Sequence, residues 1–337
     1  MPNTNNVNRR EFAASLGAAA VFFPGRVLAT GGVESGGNAK ETLVRVLLAS
    51  GSDIASPRQL DAWHFAWNGR TYRGGFAIVP LENGKQGLVD ALPLDSYLYG
   101  VVSREVSSAW PLAALQAQAI LARTYVATKL RPDKQYDVVV GASNQQFGAI
   151  ESETVEARAA VDATAGRLVT YRGQTASVAY SACCGGRTAD PADVWHSSIP
   201  YLRSMVDPHC AGSPGYRWET NVDCDALGSL NLARCGTLRS VEMRGMTGSG
   251  RPRQLAFNGT ATTVQVDTDS FRAAAGMSVV RSTYLRSILP NGNTLDIAGN
   301  GSGHGVGMCQ WGARAMAATG ASAADIIAFY FPTTKIV

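Results

Sequence analysis

Between Leu94 and Val126 the apolar residues recur at helical spacing. Leu98, Val101, Val102 and Glu105 fall three and four residues apart, which is one helical face. The pattern predicts a helix starting at Pro93 or Leu94, where proline fits a first turn because its missing N–H would be unpaired anyway. Glu105 therefore stands in line with the apolar stripe. Ser107 and Ser108 interrupt the pattern and Pro111 restarts it. The second helix is apolar nearly all round, with Leu112, Leu115, Ala119, Ala122 and Val126 on one face. Such a helix is normally buried, so Gln116, Gln118, Arg123 and Thr124 need partners inside the protein.

The flanking segments read differently. From Glu41 to Leu92 the aliphatic and aromatic alternation predicts strands, with a hairpin turn at Asn68-Gly69. Asp137 to Val140 reads as a further strand. Glu151 to Thr164 reads as an amphipathic helix with Val155, Ala159 and Val161 inward, closed by Gly166. Arg167–Tyr171 and Thr175–Ser181 read as a hairpin. Strands with glycine turns follow Tyr216, including a hairpin over Asn291-Gly292, and two helices close the chain at Gln310–Thr319 and Ala323–Tyr330. This mixture is α+β.

Composition changes the picture at the N-terminus. Arg9 and Arg10 precede an apolar run from Ala13 to Phe23 and then Val27-Leu28-Ala29. That layout predicts a twin-arginine signal peptide over residues 1–29, a Gly/Ser-rich linker over 30–40 and one domain over 41–337. The protein is expected to be exported to the periplasm or the cell-wall side of the membrane, with no stable membrane span after cleavage. The formal net charge is +4, and the first 29 residues supply +2 of it through Arg9, Arg10 and Arg26 against Glu11. What remains gives no clustered basic face for nucleic acid.

Six cysteines are present, Cys183, Cys184, Cys210, Cys224, Cys235 and Cys309. In an exported protein disulfides are the first expectation, within Cys224/Cys235 and between Cys183 or Cys184 and Cys210. A metal site on Cys184, His209 and Cys210 is the alternative. No CxxC pairing supports it, and neither a metal nor another cofactor is expected.

A carboxylate held against apolar surface is disfavoured as an anion, so Glu105 is a candidate general acid. An ordinary ion pair with Arg104 or Arg123 is the competing reading. The run LDSYLYGVVSREV…AALQAQAILARTYV is similar to the signature of the SpoIID/LytB family. The resemblance continues through Gln146-Phe147-Gly148, Tyr180-Ser181, Gly185-Gly186-Arg187-Thr188, Pro200-Tyr201-Leu202 and GNGSGHGVGMCQWGARA to the final Tyr-Phe-Pro. One departure is Cys309, where a small polar residue is expected. Another is the stretch before Gln145, which lacks the Cys or His that some members carry there.

The resemblance implies a β-rich scaffold around a buried helical hairpin carrying a catalytic Glu105. It implies a lytic transglycosylase that cleaves the MurNAc–GlcNAc bond of peptidoglycan glycan strands. The organising motif supplies one carboxylate, where a hydrolytic glycosidase usually needs two. One suffices if the muramyl 6-hydroxyl attacks and leaves a 1,6-anhydro end. Gln146, Tyr180, Ser181, Tyr201, His304 and Gln310 are the expected substrate-binding residues, since aromatic faces suit sugar rings and amides and hydroxyls suit their hydroxyls. The alternative is a non-catalytic glycan-binding module that enhances a cell-wall amidase, which would then be its partner.

Overall fold

The structure is a computed structural model that describes residues 42–82, 84–141 and 145–337, together with the backbone of two short strands at Val21–Phe23 and Arg26–Leu28. The signal-peptide and linker expectations otherwise lie outside the described residues. Helix accounts for 28% and strand for 33%, so the fold is α+β as the alternation of periodicities predicts. The described residues form two compact units, one from those up to 108 and those within 126–165, the other from 109–125 and 166–337.

In the first unit, β1 (Leu43–Gly51) lies at the centre of a four-stranded sheet with β5 (Gly75–Pro80), β6 (Gln86–Pro93) and β7 (Val138–Val139). The order is β5-β6-β1-β7, antiparallel except for the parallel β1/β7 edge. A smaller sheet joins β2 (Arg58–Gln59), β3 (His64–Trp67) and β4 (Arg70–Arg73). Its β3/β4 hairpin turns at Asn68 and Gly69, both at positive φ (51° and 70°), as the Asn-Gly signal requires.

Helix α1 (Leu94–Glu105) follows β6 without a linker, with Pro93 as its N-cap. It lies against β6 and β1, and Leu98, Val101 and Val102 are fully buried. Each such side chain stabilises the unit by about 1.5–3 kcal/mol relative to exposure. Helix α2 (Leu112–Ala127) begins after Pro111, and only its last residues belong to the first unit. Helix α3 (Val155–Asp162) is capped by the Thr154 hydroxyl, which accepts from the Ala157 N–H at 3.3 Å. Here the expected inward set changes. Val155 and Ala159 are exposed, and Ala157, Ala160 and Val161 are buried. The helix is shorter than its periodic pattern, because Ile150–Ser152 forms a separate 3-10 turn that shifts the buried stripe.

The second unit has two cores. One gathers Ala117, Ile120 and Leu121 of α2 with strand β8 (Val169–Tyr171), residues 183–189 and the closing helices α6 (Gln310–Ala318) and α7 (Ala323–Tyr330). Strand β8 pairs with β9 (Gln174–Thr175) and with β18 (Lys335–Ile336). Strand β10 (Tyr180–Ser181) runs parallel to β17 (Met308–Cys309) and does not extend the hairpin that the alternation predicts. A short helix, α4, spans Pro191–Trp195.

The other core lies between two three-stranded antiparallel sheets, β11-β16-β15 and β12-β13-β14, with α5 (Thr268–Ala275). Their strands are β11 (Arg217–Asp223), β12 (Leu238–Arg244), β13 (Gln254–Gly259), β14 (Thr263–Asp267), β15 (Leu285–Asn291) and β16 (Thr294–Asn300). No described helix is long and apolar enough to cross a membrane.

Candidate active site

Glu105 is the last residue of α1, and Val106 leaves the helix in extended conformation. A carboxylate there faces the negative end of the helix dipole, which its own helix does nothing to relieve. Relief comes from a distant loop. The Gln146 backbone N–H donates to Glu105 Oε1 at 2.8 Å. The loop is held in place by its neighbours. The Tyr97 hydroxyl donates to Gln145 Oε1 at 3.0 Å, and the Phe147 ring stacks on Tyr97 with centroids 5.0 Å apart. Gly100 makes this docking possible, because a Cβ there would lie 2.5 Å from the Gly148 carbonyl and 2.8 Å from the Phe147 ring. Tyr97, Gly100 and Glu105 thus form one surface of α1 that receives residues 145–148. Glu105 itself is half-buried, as is Gln146.

Glu105 and Gln146 are brought together, then, but through the Gln146 main chain. The amide side chain is not what orients the carboxylate. A tethered oxygen fixes the plane of the carboxylate, which a group that gives and takes a proton at one point in space requires.

The other expected site residues lie in the second unit. Tyr180 is half-buried on β10, and Ser181 beside it is buried, with a hydroxyl that has no hydrogen-bond partner among the described residues. His304 sits in a loop whose Gly301, Gly303, Gly305 and Gly307 all have positive φ. Its Nδ1 accepts from the Val306 N–H at 3.0 Å. Burial holds the imidazole down at about 4, against the pull of a hydrogen bond to the Tyr180 backbone and with Arg272 and Arg251 adding to the depression. His304 is therefore neutral near pH 7. Its ring lies 5.0 Å from Trp195, an exposed aromatic that is not among the expected substrate-binding residues.

Tyr201 and Gln310 occupy different surroundings. Tyr201 is 6% exposed, and its hydroxyl donates to the Ser177 carbonyl and accepts from the Ser177 N–H. Its ring packs at a tilt against Tyr171, with centroids 4.6 Å apart. Gln310 is buried, and its amide donates to Gln118 Oε1 at 3.3 Å, which gives that oxygen an internal partner, while Gln118 Nε2 has no hydrogen-bond partner among the described residues. Both residues tie the core of the second unit together.

Sequence comparison bears on this arrangement. The chain is 31% identical over 281 residues to an uncharacterized protein of Brachyspira hyodysenteriae, covering 81% of this chain and 74% of that one. The family model for SpoIID, Stage II sporulation protein, matches residues 82–171, the segment that carries Glu105 and Gln146. The chain belongs to the SpoIID family. Its relatives include the Stage II sporulation protein D of Bacillus subtilis, 26% identical with 79% of this chain and 80% of that one aligned. The amidase enhancer of the same organism is 29% identical over 71% of this chain, and the chain spans 40% of its length.

Against the family background the cysteines stand out. None of the six is disulfide-bonded. Cys235 donates its thiol to the Phe257 carbonyl at 3.3 Å inside the second core, where Cys224 packs only at the margin. Cys184 and Cys210 do meet, with sulfurs 3.5 Å apart. His209 is not part of their group: its ring packs edge-on against Phe329 at 5.3 Å. The additional neighbours are Asp207 and Cys309.

Proposed function

We propose that this SpoIID-family protein is a peptidoglycan lytic transglycosylase in which Glu105 is the single acid/base. The observation that carries the reading is the 2.8 Å hydrogen bond from the Gln146 N–H to the Glu105 carboxylate. It orients a half-buried carboxyl group within the segment that the family model matches. In the reaction Glu105 protonates the glycosidic oxygen between MurNAc and GlcNAc. It then takes the proton of the muramyl 6-hydroxyl as that oxygen closes on C1. The products are a 1,6-anhydromuramyl end and a free GlcNAc 4-hydroxyl, and the carboxyl group is restored without water or a second carboxylate. Tyr180 and Ser181 on β10, and His304 held neutral in its glycine loop, are proposed to contact sugar. Tyr201 and Gln310 would act through the packing beneath them.

The similarity to the Bacillus subtilis amidase enhancer favours a second reading, a glycan-binding module that assists a cell-wall amidase without cutting. Both readings place the protein outside the cytoplasm, on the cell-wall side. Mass spectrometry of purified glycan strands, with and without stem peptides, separates them. Anhydromuramyl ends that form with the native protein and vanish with Glu105→Gln support the transglycosylase. Strand binding with no new ends from either substrate leaves the amidase-enhancing module.

A further inference from the structure

We infer that Cys184, Cys210 and Cys309, with the carboxylate of Asp207, form a structural zinc site in the second unit. This does not rest on the transglycosylase reading. The ligand atoms of the four residues lie within 4.8 Å of one another, and all four residues are buried. They come from separate segments: the turn before Gly185-Gly186, the 3-10 turn His209–Gly212 with the loop before it, and the N-cap of α6.

The spacing suits a metal. Tetrahedral zinc with Zn–S bonds near 2.3 Å sets its sulfurs about 3.8 Å apart, and a thiolate and a carboxylate oxygen about 3.6 Å apart. The Cys184 and Cys210 sulfurs are 3.5 Å apart, and Cys184 Sγ is 3.2 Å from Asp207 Oδ2. Both distances lie within about 0.4 Å of the tetrahedral spacings.

The surroundings are those of a charged centre. The Cys184 N–H donates to Cys309 Sγ at 3.2 Å, as backbone amides do toward metal-bound thiolates. The Tyr330 hydroxyl donates to Asp207 Oδ2 at 2.9 Å and the His209 N–H to Oδ1 at 2.9 Å, which orients the carboxylate from behind. Gly312 lets Tyr330 and Asp207 meet, since a Cβ there would collide with both. An independent sign is Arg251. Arg251 is 4% exposed, donates to the Cys184 and Arg187 carbonyls at 3.0 and 3.1 Å and lies 4.7 Å from the Tyr284 ring centroid, yet its Nε and Nη1 have no hydrogen-bond partner among the described residues. A buried cation of this kind needs nearby negative charge. Three thiolates and a carboxylate around zinc carry a net charge of about −2, which would meet that need.

Zinc would displace the protons of Cys184, Cys210 and Cys309, releasing up to three protons as three Zn–S bonds form, with Asp207 completing a closed tetrahedral shell. A closed shell has no position for substrate, so its role is to fasten the three segments around the first core.

The test is zinc content of the full chain, expressed as a folded protein and purified without chelator. Elemental analysis is expected to give about one zinc per chain. Cys210→Ser and Cys309→Ser should each lower the zinc content at least tenfold, while Cys224→Ser leaves it unchanged. A cobalt(II)-loaded native protein needs no variant to fold. It should show intense tetrahedral d–d bands and thiolate-to-cobalt charge transfer. A zinc-free protein whose intact mass is lower by the hydrogens of one or two disulfides would overturn the site. So would zinc that survives both cysteine substitutions, or cobalt spectra without thiolate bands.

Discussion

Glu105 accepts a hydrogen bond from an N–H that lies 41 residues away in the chain. A hydrogen bond to a charged group contributes about 1.5–3 kcal/mol, so losing it should slow anhydro-end formation about 10- to 150-fold. Gln146→Pro removes the donor and Gln146→Ala keeps it. Rates on glycan strands should therefore fall for the proline variant and hold within a few-fold for the alanine variant. Equal losses in both would mean that the amide side chain, and not the main chain, serves Glu105. His304 makes a second residue-scale prediction. Its folded value of about 4 lies below the ordinary 6.5, so between those values the unfolded chain binds more protons and stability rises with pH. The contribution is complete above pH 6.5 and is lost as pH falls toward 4, up to about 3 kcal/mol. Urea midpoints between pH 4 and 7 should show this slope, and His304→Gln should flatten it.

At the scale of elements, α1 sets two physical tendencies against each other at Gly100. Alanine in a helix interior is better than glycine by about 1 kcal/mol. A Cβ at Gly100 would meet the Gly148 carbonyl at 2.5 Å, and such overpacking costs about 1–3 kcal/mol. Packing should win. Calorimetry of Gly100→Ala is expected to show a lower Tm, with activity reduced further because the displaced loop carries the Gln146 N–H. A raised Tm would show that the loop yields freely. The helices also mark how far periodicity reaches. Leu98, Val101 and Val102 are buried as their spacing predicts, whereas Leu112 is 50% exposed at the start of α2. Spacing defines a face of a helix, but the first turn extends past whatever covers that face. Val155 on α3 fails for the same reason.

Across the whole molecule, the two units carry opposite responses to pH. His304 belongs to the second unit and favours neutral pH. Asp90 belongs to the first, on β6 between Leu88 and Leu92, and neither of its oxygens has a hydrogen-bond partner among the described residues. Full burial pushes its carboxyl well above the ordinary 3.8, so the folded state holds the proton longer than the unfolded chain. Stability from this group is present below pH 3.8 and is lost as pH rises. Asp90→Asn should therefore stabilise the first unit at pH 7 and match the native protein near pH 3. Hydrogen exchange of peptides within 75–93, corrected for intrinsic rates, reads this directly. Equal protection at both pH values would show that Asp90 ionises freely.

By itself the sequence determined the order and kind of the principal elements, the Asn68-Gly69 and Asn291-Gly292 turns, and the position of Glu105 in an apolar stripe. These follow from periodicity and local backbone preference, which act over a few residues. Tertiary structure decided the rest. It brought the main chain of Gln146 to Glu105, and it put Tyr201 and Gln310 into a core. It also gathered Asp207 and Cys309 around Cys184 and Cys210, where sequence proximity had pointed to His209. The parallel pairing of Tyr180-Ser181 with Met308-Cys309 joins segments more than 100 residues apart. No local pattern encodes that register, because it is fixed by which buried surfaces fit together once the chain has folded.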